Sequence, residues 1–340
     1  AETAARQRRL RRQRFTQALP WPSRGADESP QAGAEAPIPN DTPSTPTQAH
    51  IPRAMPMAQA QALTESNDAE CLELMEQLNV SGKARCAAMA VVQAGVLALT
   101  FQPMGCRAVQ LALQVGDRGQ VKSLIAGLHG SVRAAIASPH GNYVVQKVVE
   151  TVPADLSGFV ARELVGAGAE CARHRYGCRV LCRLLEHASS SEYTEELMDE
   201  VLSQAEDLCR HAFGHFVMEA ALEHGSPKQR SEVAAALLRD LPRSARNRSA
   251  SRVVEKALQF CGEQDRGAIV AALLRGDGEE EGLVALAKSH FGTHVVRALA
   301  RLPNHREAVL WQLRLAVPDL QASKNAQRLL AEYGLPHRAQ

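Results

Sequence analysis

Aromatic side chains are scarce in this 340-residue chain, which has two Trp, four Tyr and seven Phe. So few large rings leave little from which to line a broad cofactor cavity. An apolar content of 45% with only 4% aromatics suits helices packed through Ala, Leu and Val and disfavours an all-β core. Long apolar runs are missing too. The longest, AAMAVVQAGVLALTF, is interrupted by Gln93 and falls short of the roughly 20 residues that a membrane-spanning helix needs. A soluble protein with no membrane partner is therefore expected. Also absent are a glycine-rich phosphate loop, a nucleophile motif and metal-spaced carboxylates. No enzymatic activity, cofactor or small-molecule substrate is expected.

The eight cysteines, at 71, 86, 106, 171, 178, 182, 209 and 261, lack the dense pairing of a small secreted scaffold. A reducing compartment follows, and with it a cytoplasmic location. His174, Cys178 and Cys182, spaced four apart, would share one side of a helix as candidate zinc ligands. No fourth ligand has a matching spacing, and no metal site is expected.

The formal net charge is +2, unevenly spread. Residues 1–62 hold eight Arg against five acids, which leaves the remainder close to neutral. Whatever the remainder binds is not held by a bulk positive field, so recognition must come from placed groups. Lys147, Arg183 and Lys256 are candidates for local phosphate contacts. The opening ARQRRLRRQRF reads as a nuclear-import or nucleic-acid tail, an organellar targeting peptide or a solvated arm. Pro20 to Pro56 then holds nine of the chain's 17 prolines, a composition that cannot bury enough apolar area to order itself. Residues 1–62 are thus expected to be a disordered tail, with order beginning near Leu63.

What the sequence does contain is a recurrence. GNYVVQ, at residues 141–146, returns as GCRAVQ, GCRVLC, GHFVME, ASRVVE and GTHVVR. The small residues that open the frames are Gly105, Gly141, Gly177, Gly214, Ala250 and Gly292, separated by 36, 36, 37, 36 and 42 residues. Such a period marks a solenoid of helical units, none of which can bury its apolar face alone. The insertion GDGEEEG at 276–282 accounts for the longer last step. A packing helix precedes each frame: VKSLIAGL, LSGFVARELV, TEELMDEVLSQ and RSEVAAALLR have helical apolar spacing. CLELMEQL and SGKARCAAMAVV form a degenerate leading unit, and NAQRLLAEY a closing cap whose strip would be Gln327, Arg328 and Ala331.

Within a frame, at about 100° per residue, Gln146 falls about 40° and Tyr143 about 100° from Asn142, while Val144, Val145 and Val148 fill the opposite arc. Two hydrogen-bonding groups and a flat ring therefore share one strip, expected to be exposed. Three residues ahead of five of the six small residues stands a capping candidate: Ser138, Asn247 and Ser289, with His174 and His211 in the same place. A structural role is expected for these histidines.

These residues resemble the Pumilio, or PUF, family of single-stranded RNA-binding proteins over about residues 83–333. The resemblance implies an all-α, right-handed α-solenoid superhelix with degenerate end caps, occupying 63–340. It also implies that the first and fifth strip residues meet a base's Watson–Crick edge, that the second stacks between bases, and that one repeat reads one base. Asn142, Tyr143 and Gln146 match the family's uracil triplet, and their amides fit an edge of alternating donors and acceptors. Ser251, Arg252 and Glu255 suit guanine, because a carboxylate accepts from adjacent N–H donors. Cys106, Arg107 and Gln110 follow the adenine pattern. Three triplets depart from the best-matched set. Cys178 and Arg179 suit adenine, but Cys182 replaces the amide. His215, Phe216 and Glu219 leave the base open. Thr293, His294 and Arg297 resemble a rare cytosine arrangement. With RNA antiparallel to the repeats, the implied target is 5′-(C or any)-G-N-(A)-U-A-3′. The implied partners are single-stranded mRNA, at 3′ untranslated regions, and protein co-regulators of translation or decay, acting on a monomer. Other readings stay open at this point: a relative of nucleolar type with low sequence preference, a protein-binding HEAT or armadillo scaffold, and a pentatricopeptide-repeat protein.

Overall fold

The computed structural model describes residues 68–275 and 282–335, and every regular element among them is a helix. The tail 1–62, the expected start of order at Leu63 and residues 276–281 of the insertion lie outside the described residues. The described residues form an α-solenoid whose core is one apolar cluster running from Cys71 to Leu335.

Most units contain three helices where the apolar pattern predicts two, and the unit ending in Gly177–Ala188 contains four. In the unit containing GNYVVQ, a packing helix Arg118–Ala126 is followed by a short helix Val132–Ala137 and then by the strip helix Gly141–Thr151. The same short element recurs as Gly168–Arg173, Ala205–Arg210, Leu241–Arg246 and Gly282–Lys288. Six or seven residues give too few turns for a 3.6-residue period to register in sequence, so this element merges with the turn. Two of the packing helices start on side-chain caps. Asp117 Oδ1 accepts from Gln120 N at 2.9 Å while Gln120 Oε1 accepts from Asp117 N at 3.0 Å, and Ser226 and Gln229 repeat the exchange ahead of Pro227. The stretch LSGFVARELV is two helices, Ala154–Ser157 and Phe159–Leu164, broken at Gly158, its residue of lowest helix propensity.

The strip helices are Gly105–Val115, Gly141–Thr151, Gly177–Ala188, Gly214–His224, Ala250–Phe260 and Gly292–Arg301, and each packs on the next. The helix Asp68–Asn79 packs against the first of them, and Lys324–Glu332 against the last, so both expected end units continue the row. The branched pairs Val144–Val145, Val253–Val254 and Val295–Val296 are buried, as are Ala108–Val109, Val180–Leu181 and Val217–Met218 in the same register. Valine is a modest helix former. Burial worth about 1.5–3 kcal/mol per large apolar side chain outweighs that propensity cost.

Successive units are also strapped together through the backbone. Glu200, on the packing helix Glu192–Leu202, accepts from Gly166 N at 2.6 Å and Gly168 N at 3.0 Å, at the start of the preceding unit's short helix. Glu163 does the same one unit earlier, with Gly130 N at 2.7 Å and Val132 N at 3.1 Å. Gly130 and Gly166 have φ of 76° and 83°, a left-handed conformation that turns their N–H groups to the carboxylate at little steric cost. Charge-assisted bonds of this kind are worth about 1.5–3 kcal/mol each to charged partners. Glu200→Ala is expected to lower stability by about 1–3 kcal/mol, read as a drop in the urea midpoint followed by circular dichroism. An unchanged midpoint would show that the strap carries no stability.

Candidate nucleic-acid interface

The strip begins at the residue that joins the short helix to the strip helix. Ser138, His174, His211 and Asn247 each end a short helix in an extended conformation, with ψ between 136° and 143°. Their side chains then turn forward and accept from the start of the strip helix. Ser138 Oγ accepts from His140 N and Gly141 N, both at 3.1 Å, and Asn247 Oδ1 from Ser249 N at 2.9 Å and Ala250 N at 3.0 Å. His174 Nδ1 accepts from Tyr176 N at 3.3 Å and Gly177 N at 3.2 Å, and His211 Nδ1 from Phe213 N at 3.2 Å and Gly214 N at 3.1 Å. Ser289 accepts from Gly292 N. The capping role expected of all five is what the structure has. Ser323, three residues before Ala326, caps the closing helix in the same way, a recurrence not singled out in the sequence.

Directly after the cap the chain passes close to its own short helix. A Cβ on Gly141 would lie 2.8 Å from Ala135 O, and one on Gly292 would lie 2.4 Å from Leu286 O. At these two positions glycine is required for space, whereas the equivalent place in the fifth strip holds Ala250; the close approach fixes the angle at which these strip helices enter.

Exposure along the strip corrects the sequence-based expectation of a uniformly exposed face. The first residue of every strip is buried: Cys106, Asn142, Cys178, His215, Ser251 and Thr293 are between 0% and 6% exposed. Each is bonded to a backbone carbonyl three or four residues earlier. Asn142 Nδ2 donates to Ser138 O at 2.8 Å, Thr293 Oγ1 to His290 O at 2.8 Å and Cys106 Sγ to Pro103 O at 3.3 Å. Longer contacts join Cys178 Sγ to Arg175 O and Ser251 Oγ to Arg248 O, and His215 Nδ1 lies 2.8 Å from His211 O. Adjoining strip helices cover this position on both sides, so the helical wheel of one isolated helix overstates its exposure. The second residues form the outer tier: Arg107, Tyr143, Arg252 and His294 are exposed, and Arg179 and Phe216 half-buried. The fifth residues, Gln110, Gln146, Cys182, Glu219, Glu255 and Arg297, are all half-buried between the two tiers.

The fifth residues differ in their bonding. Gln146 Nε2 donates to Asn142 Oδ1 at 2.9 Å, which fixes both amides and leaves Gln146 its carbonyl oxygen and second N–H. Gln110 Nε2 donates to Cys106 O at 3.0 Å. Cys182 Sγ contacts Phe216 O of the next unit at 3.5 Å. Arg297 is held by Glu332 at 2.8 Å, with a second contact to Thr293 Oγ1 at 3.3 Å. Glu219 Oε1 is buried without a hydrogen-bond partner, and burial pushes its carboxyl up to about 7.

The expected phosphate contacts need revision. Lys147 pairs with Glu150 at 3.0 Å, Arg183 bridges Glu150 at 3.0 Å and Glu186, and Lys256 pairs with Glu223 of the preceding strip helix. None of these cations stands free: Lys147 is paired within its own helix, and Arg183 and Lys256 tie neighbouring strip helices together. The signal in the sequence is the glutamate eight residues after the first strip residue, at 150, 186 and 223, which the strip pattern overlooks. The candidate zinc triad is likewise engaged otherwise. His174 Nδ1 is taken by the cap, and burial raises the Cys178 thiol to about 11 and that of Cys182 further, against the thiolate a metal requires.

A family model described as Pumilio-family RNA binding repeat matches residues 96–129, 138–164, 169–202, 204–238 and 245–274. Among curated relatives, a Pumilio domain-containing protein of Schizosaccharomyces pombe is 21% identical over 270 residues, covering 78% of this chain and 39% of the relative. Pumilio homolog 12 of Arabidopsis thaliana is 23% identical over 230 residues, covering 67% of this chain and 38% of its own length. The chain thus spans about two fifths of these relatives. Similar solved structures include the Puf3 RNA-binding domain bound to a Cox17 RNA 3′ UTR recognition sequence (TM-score 0.71, 21% identity, 82% of this chain and 88% of that one). PUF-8 in complex with PBE-RNA is a second (TM-score 0.72, 21% identity, 82% of each chain). At these identities the likeness is one of fold.

The His211 cap makes its strip sensitive to pH. Nδ1 of His211 can accept only while unprotonated, and burial followed by Arg173 lowers the His211 pKa below its ordinary 6.5. The folded value lies under the unfolded one, so this residue's contribution is complete above about pH 6.5 and is lost as pH falls through the lowered value. His211→Asn, which keeps an acceptor, is expected to flatten that part of the stability–pH profile, whereas His211→Ala costs about 1 kcal/mol at neutral pH. Thermal melts across that range check both. An Asn variant that follows the parent's pH profile would show that the cap does not titrate.

Proposed function

The chain belongs to the Pumilio family, and on that premise we propose that it binds single-stranded RNA sequence-specifically along the row of strip helices, one base to a repeat. One observation supports this reading most strongly. Six strips share one geometry, with a buried first residue, an outer second residue and a half-buried fifth, yet their polar chemistry changes from strip to strip. A scaffold that presented a single protein partner with one continuous surface would have no use for different donor and acceptor sets in identical frames. The pairing of Lys147, Arg183 and Lys256 with glutamates fits the same reading, because it leaves discrimination to base edges and stacking faces. Stacking is worth roughly 1–3 kcal/mol per base, so about six such contacts sustain binding without a strong positive field.

In this reading Asn142 and Gln146 contact uracil and Tyr143 stacks on it. Cys106, Arg107 and Gln110 take adenine, Ser251, Arg252 and Glu255 take guanine, and Cys178, Arg179 and Cys182 hold adenine weakly. Thr293, His294 and Arg297 favour cytosine, with the Arg297 guanidinium oriented by Glu332. The protein would act as a binding protein with no catalytic step, on mRNA 3′ untranslated regions, and would regulate translation or decay by recruiting other proteins or blocking access.

Replacing Ser251 by Asn together with Glu255 by Gln is expected to exchange guanine for uracil at a single position of 5′-CGNAUA-3′. Fluorescence anisotropy with the parent RNA and the G-to-U RNA measures it, and each mismatched pairing should cost about 1–3 kcal/mol. Equal weakening of both RNAs would refute reading by separate repeats.

A further inference from the structure

The strip His215, Phe216, Glu219 matches none of the best-understood triplets, but its hydrogen-bonding pattern is determined by its surroundings. His215 Nδ1 lies 2.8 Å from His211 O. A backbone carbonyl only accepts, so the hydrogen of the neutral ring sits on Nδ1 and Nε2 keeps a bare lone pair. Nε2 lies 3.9 Å from Glu219 Oε1, the buried carboxylate oxygen with no hydrogen-bond partner. Two acceptors therefore face each other with no donor between them. Such a pair needs either a proton of its own or a ligand that brings N–H groups.

The other charged and titratable groups around Glu219 are known. On its own helix stand His215 and Glu223. The following strip helix contributes Arg252, Glu255 and Lys256, and the preceding one Cys182. Lys256 is engaged with Glu223, and Arg252 bears on both His215 and Glu219. Burial is the largest influence on both members of the pair: it disfavours a charge on His215 and raises the Glu219 carboxyl to about 7. Near neutral pH the free protein thus holds a proton on Glu219 in a large share of molecules, while His215 stays neutral.

We infer that this repeat reads guanine through two acceptors, His215 Nε2 and the Glu219 carboxylate, and that guanine displaces the Glu219 proton into solvent as it binds. The inference rests on the reading of the strips as base contacts. Guanine alone among the four bases offers adjacent N–H donors, at N1 and N2, on its Watson–Crick edge. Donation by these groups stabilises the carboxylate, so binding and deprotonation are linked. The protonated acid offers one donor and one acceptor, which fits uracil or adenine better, so the preference for guanine at this position weakens as the pH falls. The position left open in the target becomes G, giving 5′-CGGAUA-3′.

The test titrates the full chain with four RNAs of sequence 5′-CGNAUA-3′ that differ only at N, between about pH 6 and about pH 8. Affinity for N = G is expected to rise about tenfold over that interval, as the ionised fraction of Glu219 rises from about a tenth to nearly all, while the other three RNAs gain far less. Calorimetry in two buffers of different ionisation enthalpy should register proton release for N = G near neutral pH. Glu219→Gln should remove both the pH gain and the preference for G. Tight binding that is indifferent to N and to pH would overturn the inference and leave RNA binding standing. Failure of all four RNAs to bind would instead remove the functional reading on which it rests.

Discussion

The architecture depends on a joint that recurs ahead of five of the six strip helices. One residue ends the short helix in an extended conformation and, with its side chain, satisfies the first free N–H groups of the strip helix. Those N–H groups have no partner within their own helix, and capping them is worth on the order of 1 kcal/mol. The energy is modest, but the geometric effect is large. Directly beyond the joint the backbone runs so near its own short helix that only a very small residue fits, as Gly141 and Gly292 show. Cap and close approach together fix the direction in which the next five residues point. Serine, asparagine and histidine all serve at the joint because each offers an acceptor at nearly the same place.

This joint explains why chemistry can vary while position does not. The first strip residue folds back on a carbonyl of the preceding turn whether it is Cys, Asn, His, Ser or Thr. In two strips its remaining capacity meets the half-buried fifth residue, Asn142 with Gln146 and Thr293 with Arg297. Removed from bulk water, such groups discriminate more sharply, because an unmatched partner leaves a buried polar group unsatisfied. The Glu150–Arg183 and Glu223–Lys256 pairs link neighbouring strip helices, and with the Lys147–Glu150 pair inside its own helix they offset charge that would otherwise attract any polyanion.

Much of this was legible in the sequence, for identifiable reasons. The period, the opening small residues, the buried branched pairs and the caps are all local signals, and each appears where the pattern places it. The short helices were not legible, because six residues do not establish a period. Nor was the burial of Asn142 and its counterparts, which comes from adjoining helices and is invisible to a single helical wheel. Lys147, Arg183 and Lys256 looked available for phosphate because their partners sit on a frame position outside the motif, and for Glu150 with Arg183 and Glu223 with Lys256 in a different unit. The character of Glu219 was the least accessible. Its sequence context resembles that of Glu255, and only the bare Nε2 of His215 and the burial of its own oxygen set it apart.

The central claim is that separate repeats of this chain select separate bases. Enrichment of bound RNAs from a random single-stranded pool tests it most directly, since no target is presupposed. The account predicts a short unpaired motif in which G, then A-U-A, recur in the order opposite to the repeats, with the invariant U opposite Asn142 and Gln146. Recovery of structured RNAs without a common linear motif, or of a pool no different from the starting one, would contradict it.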